Sequence, residues 1–271
     1  MTEAAQEALL GPDSRLVVNF GRKGAQRLEQ YGQFRISNRC GERFGMDRYF
    51  LTEVGPGLFP GEVHHLKFRL ENHSRIALDS QSAIKVHFSP VESESVIDQL
   101  FELEAGSSLV AIPEPIIAFT GSRLRSRTRL NLEQGASAII SEVIGRVAPT
   151  PDSLGPPAMD TAVEICYDAR RIFVDRVAIG SNPHFGASKS WSAVTGESGC
   201  VGSLYFVGFE PGTLERIAGI MARLDTGSPA VRSTRPTNPT EELTIIRAKA
   251  SDAASVGSHF VGIVERFLAL Q

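Results

Sequence analysis

Three stretches of the chain repeat one short pattern: Leu70-Glu71-Asn72-His73-Ser74-Arg75-Ile76, Leu103-Glu104-Ala105-Gly106-Ser107-Ser108-Leu109, and Leu132-Glu133-Gln134-Gly135-Ala136-Ser137-Ala138-Ile139. Each reads as a strand end, a polar or glycine turn, and the start of a second strand, because turn formers separate two apolar runs. The copies stand 33 and 29 residues apart, which suits stacked units that bury their apolar faces on one another. The expected fold is mainly β, with a layered, helicoidal strand body.

Working outward, period-two runs recur at Arg15 to Phe20, Gln33 to Ile36, Leu66 to Leu70, Ile84 to Phe88 and Leu100 to Leu103. All are strand-length and bounded by turn residues. The period changes near the C-terminus. Leu214, Ile217, Ile220, Met221 and Leu224 share one helical face, and so do Val256, Phe260, Ile263, Val264, Phe267 and Leu268, behind Ser251 or Asp252 as N-cap. A strand, Leu243 to Arg247, separates the two. These form a small C-terminal helical cap on a single domain spanning residues 1–271. Residues 147–160 and 226–240 read as loops from their proline, serine and threonine content, and the Gly/Ser-rich residues 181–203 as a long surface excursion.

The 271 residues carry 28 Lys+Arg against 31 Asp+Glu, a net charge of −3, with 42% hydrophobic content. That is the balance of a globule, and it excludes a disordered chain and argues against nucleic-acid binding as the main task. Cys40, Cys166 and Cys200 form no CxxC or zinc ladder, which suggests a reducing compartment. Residues 1–12 lack the basic start and apolar run of a secretory signal, and no stretch has the apolar length of a membrane span. A cytoplasmic location is the expectation.

Chemistry-bearing motifs are sparse. The six histidines form no HxxxH, and the adjacent His64 and His65 face opposite sides of a strand, with His65 beside Lys67 and Arg69. No stable metal site is expected. Gly196-Glu197-Ser198-Gly199-Cys200 lacks the spacing of a nucleophile elbow, and no P-loop is present. Arg123, Arg125, Arg127 and Arg129 alternate along one strand and share a face. The stripe is either a docking surface for an acidic partner or a solvated face paired with neighbours such as Glu102 and Glu104, and the second is the more ordinary arrangement. Gly55-Pro56-Gly57-Leu58-Phe59-Pro60-Gly61-Glu62 is a tight loop between strands.

Three segments carry a resemblance. Tyr49 to Glu62, Leu78 to Val86 with Gln81, Ala83, Lys85 and Val86, and Ile112-Pro113-Glu114-Pro115 through Phe119 and Gly121, followed by Glu142 and Gly145-Arg146, resemble the UreD (UreH) family of urease accessory proteins in order and spacing. The resemblance implies a non-enzymatic, β-rich chaperone. It would bind a UreF-like protein, recruit a UreG-like GTPase through it, and dock on apo-urease for nickel insertion. No cofactor would be held tightly, and nickel would pass through. Glu62, Gln81, Lys85, Glu114 and Glu142 become the polar positions to test along an internal path or at an interface. Arg123, Arg125, Arg127, Arg129, Leu214 and Phe260 become positions for partner contact, as parts of the stripe and of the helices at 211–224 and 252–270. The chain departs from the family pattern at Pro56, at Pro60-Gly61-Glu62, at Asp79-Ser80 and at His87. Two other readings compete: a β-solenoid carbohydrate-active enzyme, which needs two carboxyl groups roughly 5 to 9.5 Å apart, and a divergent interaction module using the arginine stripe.

Overall fold

In the computed structural model the three repeats stack in register. The structure describes residues 13–21, 23–90, 93–146, 155–180, 190–195, 199–210, 212–224 and 231–270. Each repeat joins a strand of one sheet to a strand of the next: β6 (Val63–Leu70) to β7 (Arg75–Ser80), β9 (Ser95–Leu103) to β10 (Ser108–Ala111), and β12 (Arg123–Leu132) to β13 (Ser137–Arg146). Leu70 pairs with Leu103 and Leu103 with Leu132, all in parallel. The turns close alike: the amides of Ser74, Ser107 and Ala136 donate to the carbonyls of Glu71, Glu104 and Glu133 at 3.0, 3.1 and 3.0 Å. His73, Gly106 and Gly135 occupy the left-handed position with φ of 62°, 68° and 79°. The repeated acid of the pattern reaches back one layer. Glu104 accepts from the Asn72 amide at 3.0 Å, and Glu133 from the Ala105 amide at 3.0 Å.

The first sheet runs β15-β14-β12-β9-β6-β1-β2, adding β1 (Ser14–Gly21), β2 (Gly24–Tyr31), β14 (Ala158–Tyr167) and β15 (Arg170–Ile179). The second runs β17-β19-β16-β13-β10-β7-β5-β3, adding β3 (Phe34–Ile36), β5 (Met46–Glu53), β16 (Cys200–Val207), β17 (Val231–Ser233) and β19 (Leu243–Ala250). Shorter pieces extend it: β4 (Glu42–Arg43) on β5, β18 (Thr237–Thr240) on β19, and β8 (Ile84–Val86) on β11 (Ile116–Ala118) beside β13. One apolar core fills the space between the sheets, with Leu16, Phe68, Ile97, Leu130 and Ile140 among its members. A second lies between the second sheet and the helices α2 (Thr213–Leu224) and α3 (Ala253–Leu268); α1 is the short Trp191–Thr195. Asp252 caps α3, its carboxylate accepting from the Ser255 amide at 2.7 Å.

Several expectations need correction. Residues 158–160 are not loop but the start of β14, because they continue the parallel pairing with β12; residues 147–154 lie outside the described set. Of the expected excursion at 181–203, residues 181–189 and 196–198 are also outside it, but the remainder is no surface feature. Trp191 is buried, its indole N–H donating to the Pro157 carbonyl at 3.1 Å. Every residue of β16 is buried, because strands flank it on both sides, a sheet covers one face and α3 the other. Gly202 permits that contact: a Cβ there would stand 2.7 Å from Val256 Cγ1. Within 226–240, residues 231–233 and 237–240 pair with β19, and Pro239 is tolerated because β18 is an edge strand. Phe260, expected to meet a partner, is fully buried in the second core, so its aromatic face is already used within the chain; Leu214 is half-buried.

Candidate functional site

Strand alternation sends odd and even positions of the first sheet to opposite faces, and the inward face holds an unusual polar layer. Ser14, His64, Ile97, Ser126 and Thr161 are successive register partners across β1, β6, β9, β12 and β14. All five are 0–1% exposed. The next inward row contains Leu66, Gln99, Thr128, Val163 and Asp175. Polar side chains therefore recur across the interior, interrupted by Ile97 in the first row and by Leu66 and Val163 in the second.

At one end stands Glu62, 1% exposed. The Gly/Pro loop between β5 and β6 delivers it there, with Gly57 and Gly61 at φ of 128° and 81°. Its carboxylate accepts from Gln33 Nε2 at 2.8 Å and from the Phe59 amide at 2.9 Å, and lies 3.2 Å from His64 Nε2. Burial pushes the neighbouring Glu53 carboxyl up; amides of Gly55 and Gly57 counter this, while the charge of Glu62 adds to it. Gln33 Oε1, Glu53 Oε1 and His64 Nδ1 are buried without a hydrogen-bond partner. Such a group is poised to accept a cation or a proton.

At the other end Glu142 projects from β13 into the space between the sheets and accepts from Thr161 Oγ1 at 3.0 Å. Burial raises its carboxyl to about 7; Asp175 adds to the rise, while the Thr161 hydrogen bond and the charges of Arg247 and Arg127 oppose it. Glu142, Ser203 and Arg247 are register neighbours on the second sheet. Arg247 donates to Asp175 and to Ser203 Oγ, each at 2.6 Å, and the Tyr205 hydroxyl also donates to Asp175. Both donors meet Asp175 at Oδ2, and the Thr161 hydroxyl meets Glu142 at Oε2.

The sequence-chosen positions divide. Glu62 and Glu142 face the interior. Gln81, Lys85 and Glu114 are exposed: Lys85 alternates with the buried Val86, and the Glu114 amide is tied to Ser80 Oγ between two prolines. The three are not members of the interior layer. Glu114 and Glu142 accordingly do not face one another, which removes the carboxylate pair of the carbohydrate-active reading. Glu53, His64, Gln99, Thr161, Asp175 and Arg247 escaped attention as parts of one layer; the only signal was a polar residue at a period-two inward position, and register across strands is invisible in the sequence.

The arginine stripe lies on the outer face of the first sheet. Arg125 pairs with Glu94 at 2.9 Å, Arg129 with Glu164 at 3.5 Å, and Arg127 with Asp160; Arg123 has a partner as well. The expected partners Glu102 and Glu104 instead hold Lys67 and Arg69, because the register places Glu102 beside Arg69 and one row from Lys67 on β6, while Asp160 and Glu164 come from β14 on the other side. Asp160 is fully buried; burial raises its carboxyl, and the guanidinium groups of Arg176 and Arg127 more than reverse this, holding it below the ordinary value. Arg127 and Arg129 of the stripe line a groove of about 640 Å³ with Lys67, Leu100 and Val174.

Among the described residues no three His, Cys, Asp or Glu side chains are grouped to hold a metal ion, and no helix is long and apolar enough to cross a membrane. The donors at the two ends are carboxylates, an imidazole and an amide oxygen, ligand types that first-row divalent ions accept.

Known proteins agree with the sequence resemblance. Residues 13–270 match the family model described as UreD urease accessory protein. A urease accessory protein UreD of Lachnoclostridium phytofermentans is 27% identical over 46% of this chain and 45% of its own length. Those of Trichodesmium erythraeum and Sorangium cellulosum are 34% and 32% identical, over 36% and 35% of this chain and 37% and 30% of theirs. The chain thus aligns with less than half the length of these curated relatives. The match over nearly all of its residues, together with the layered β body and helical cap, shows that this chain belongs to the UreD family of urease accessory proteins.

Proposed function

We propose that this chain is the scaffold through which nickel reaches apo-urease, acting in a complex with a UreF-like protein and, through it, a UreG-like GTPase. The observation that carries the reading is the interior polar layer: two acidic ends, Glu62 and Glu142, joined by Ser126 and Thr161 across a core that is otherwise apolar. Burying such groups in a core is costly unless they have partners or a task. Nickel is the cargo rather than a resident ion. It would be taken up by Glu62 with the His64 imidazole nearby, and passed to or from Glu142, whose carboxyl exchanges its proton for the metal.

GTP hydrolysis belongs to the partner, since no phosphate-cradling motif is present in the sequence. Gln81, Lys85 and Glu114, with the arginine groove and Leu214, are surface positions available for partner contact. Co-producing urease subunits and the other accessory proteins with and without this chain tests the reading. The expected result is nickel-poor, weakly active urease in its absence; equal nickel content and activity in both would refute it.

A further inference from the structure

We propose that the groove on the outer face of the first sheet receives an acidic amphipathic helix of a protein partner, whose carboxylates meet Lys67 and Arg129 while an aliphatic side chain between them meets Leu100. The inference stands apart from the nickel reading and involves no metal.

One register row sets the pattern. Val17, Lys67, Leu100, Arg129, Glu164 and Val174 are successive partners across β1, β6, β9, β12, β14 and β15, and all six line the groove. Aliphatic and cationic side chains alternate over the first four. Val174 is 50% exposed, and Val17 and Leu100 are only half-buried. Aliphatic surface is thus left open along one groove in a face otherwise occupied by ion pairs, the mark of a contact surface.

Charge sets the sign of the occupant. Among the described residues, five Arg and Lys side chains line the groove, Arg15, Arg127 and Arg176 being the others, against the two carboxylates of Asp98 and Glu164. Glu29 and Glu102, which pair with Arg15 and Lys67, stand outside that lining. The buried Asp160 is shared by Arg127 and Arg176, so it fixes two guanidinium groups at the groove wall while offsetting one positive charge. Arg129 is 57% exposed and meets Glu164 at 3.5 Å, a loose surface pair for which an incoming carboxylate competes.

Spacing selects a helix. Lys67 and Arg129 stand two strand steps apart, about 9.6 Å, with Leu100 midway. Residues i and i+7 of a helix lie about 10.5 Å apart on one face, with i+3 and i+4 between them. An extended strand repeats its same-face residues at about 6.7 and 13 Å, out of step with the row. A nucleic acid or a free phosphate would meet the cations and leave Val17 and Leu100 uncovered, whereas a helix with an apolar position between two acids covers both kinds of group.

The test titrates the purified full chain into a fluorescein-labelled helical peptide carrying Glu at i and i+7 and Leu at i+3 and i+4, and reads anisotropy beside the melting temperature of each variant. The expected result is saturable binding, weakened at least tenfold by Lys67→Gln combined with Arg129→Gln, several-fold by Leu100→Ala, and not at all by Arg75→Gln outside the groove. A peptide with Ala in place of Leu, which leaves the protein untouched, should bind several-fold more weakly as well. No binding overturns the proposal, and so does equal binding of a peptide with Lys in place of Glu. Equal binding of the Ala peptide, or displacement of the Leu peptide by millimolar inorganic phosphate, reduces the groove to an anion exchanger and overturns it too. Self-association that the double variant abolishes, without peptide binding, assigns the groove to a second copy of the chain and also overturns it.

Discussion

At the scale of single residues, the fold holds two buried acids in opposite electrostatic settings. Asp160 sits between two guanidinium groups and remains charged, whereas Glu142 is raised to about 7 by burial. The sign of the pH effect follows for Glu142. Its folded value lies above its ordinary one, so the native state binds the extra proton between about pH 4.5 and 7, and stability is lost as pH rises through that window. Glu142→Gln should therefore unfold less readily than the parent at pH 8, by up to about 3 kcal/mol, with the difference vanishing near pH 4; urea titrations at the two pH values would show it. Asp160→Asn should act the other way. It leaves Arg127 and Arg176 without their shared charge, at a cost of about 3 to 5 kcal/mol by the same measurement. Neither role was legible in the sequence: Asp160 fell in a stretch read as loop, and Glu142 was singled out by resemblance rather than by its surroundings.

At the scale of elements, the repeats were legible because their signal is local. A glutamate, a left-handed turn residue and a small residue recur in order, and the turn bonds and backward-reaching carboxylates use those residues directly. Glu104→Ala should cost about 1 kcal/mol, since it frees the Asn72 amide and removes the partner of Arg69; thermal unfolding would register it. The helices were legible for the same reason, their apolar stripes being written in period 3.6. What escaped was β16. Its Gly202 and Ser203 continue a Gly/Ser-rich stretch of loop composition, yet Gly202 is small because α3 lies against it. Gly202→Ala should destabilise by about 1 to 3 kcal/mol through overpacking, measurable as a lowered denaturation midpoint.

At the scale of the whole molecule, the parallel layering is what gathers scattered polar residues into one row, broken only by Ile97. Residues from β1, β6, β9, β12 and β14, far apart in sequence, become neighbours about 5 Å apart because every layer repeats the last in register. The helices cover the outer face of the second sheet, while the outer face of the first carries, besides the buried Asp160, a lattice of half-exposed ion pairs that each contribute little to stability and are open to exchange with a partner's charges. The interior and exterior acids thus separate two explanations of function, one by passage and one by surface docking alone. The measurement that decides between them is nickel per urease after co-production with the accessory partners, compared among the parent chain, Glu62→Gln, Glu142→Gln and the exposed Glu114→Gln. The interior account predicts that the first two substitutions lower nickel several-fold and that Glu114→Gln does so far less. Nickel loading that survives both interior substitutions in folded protein would contradict it.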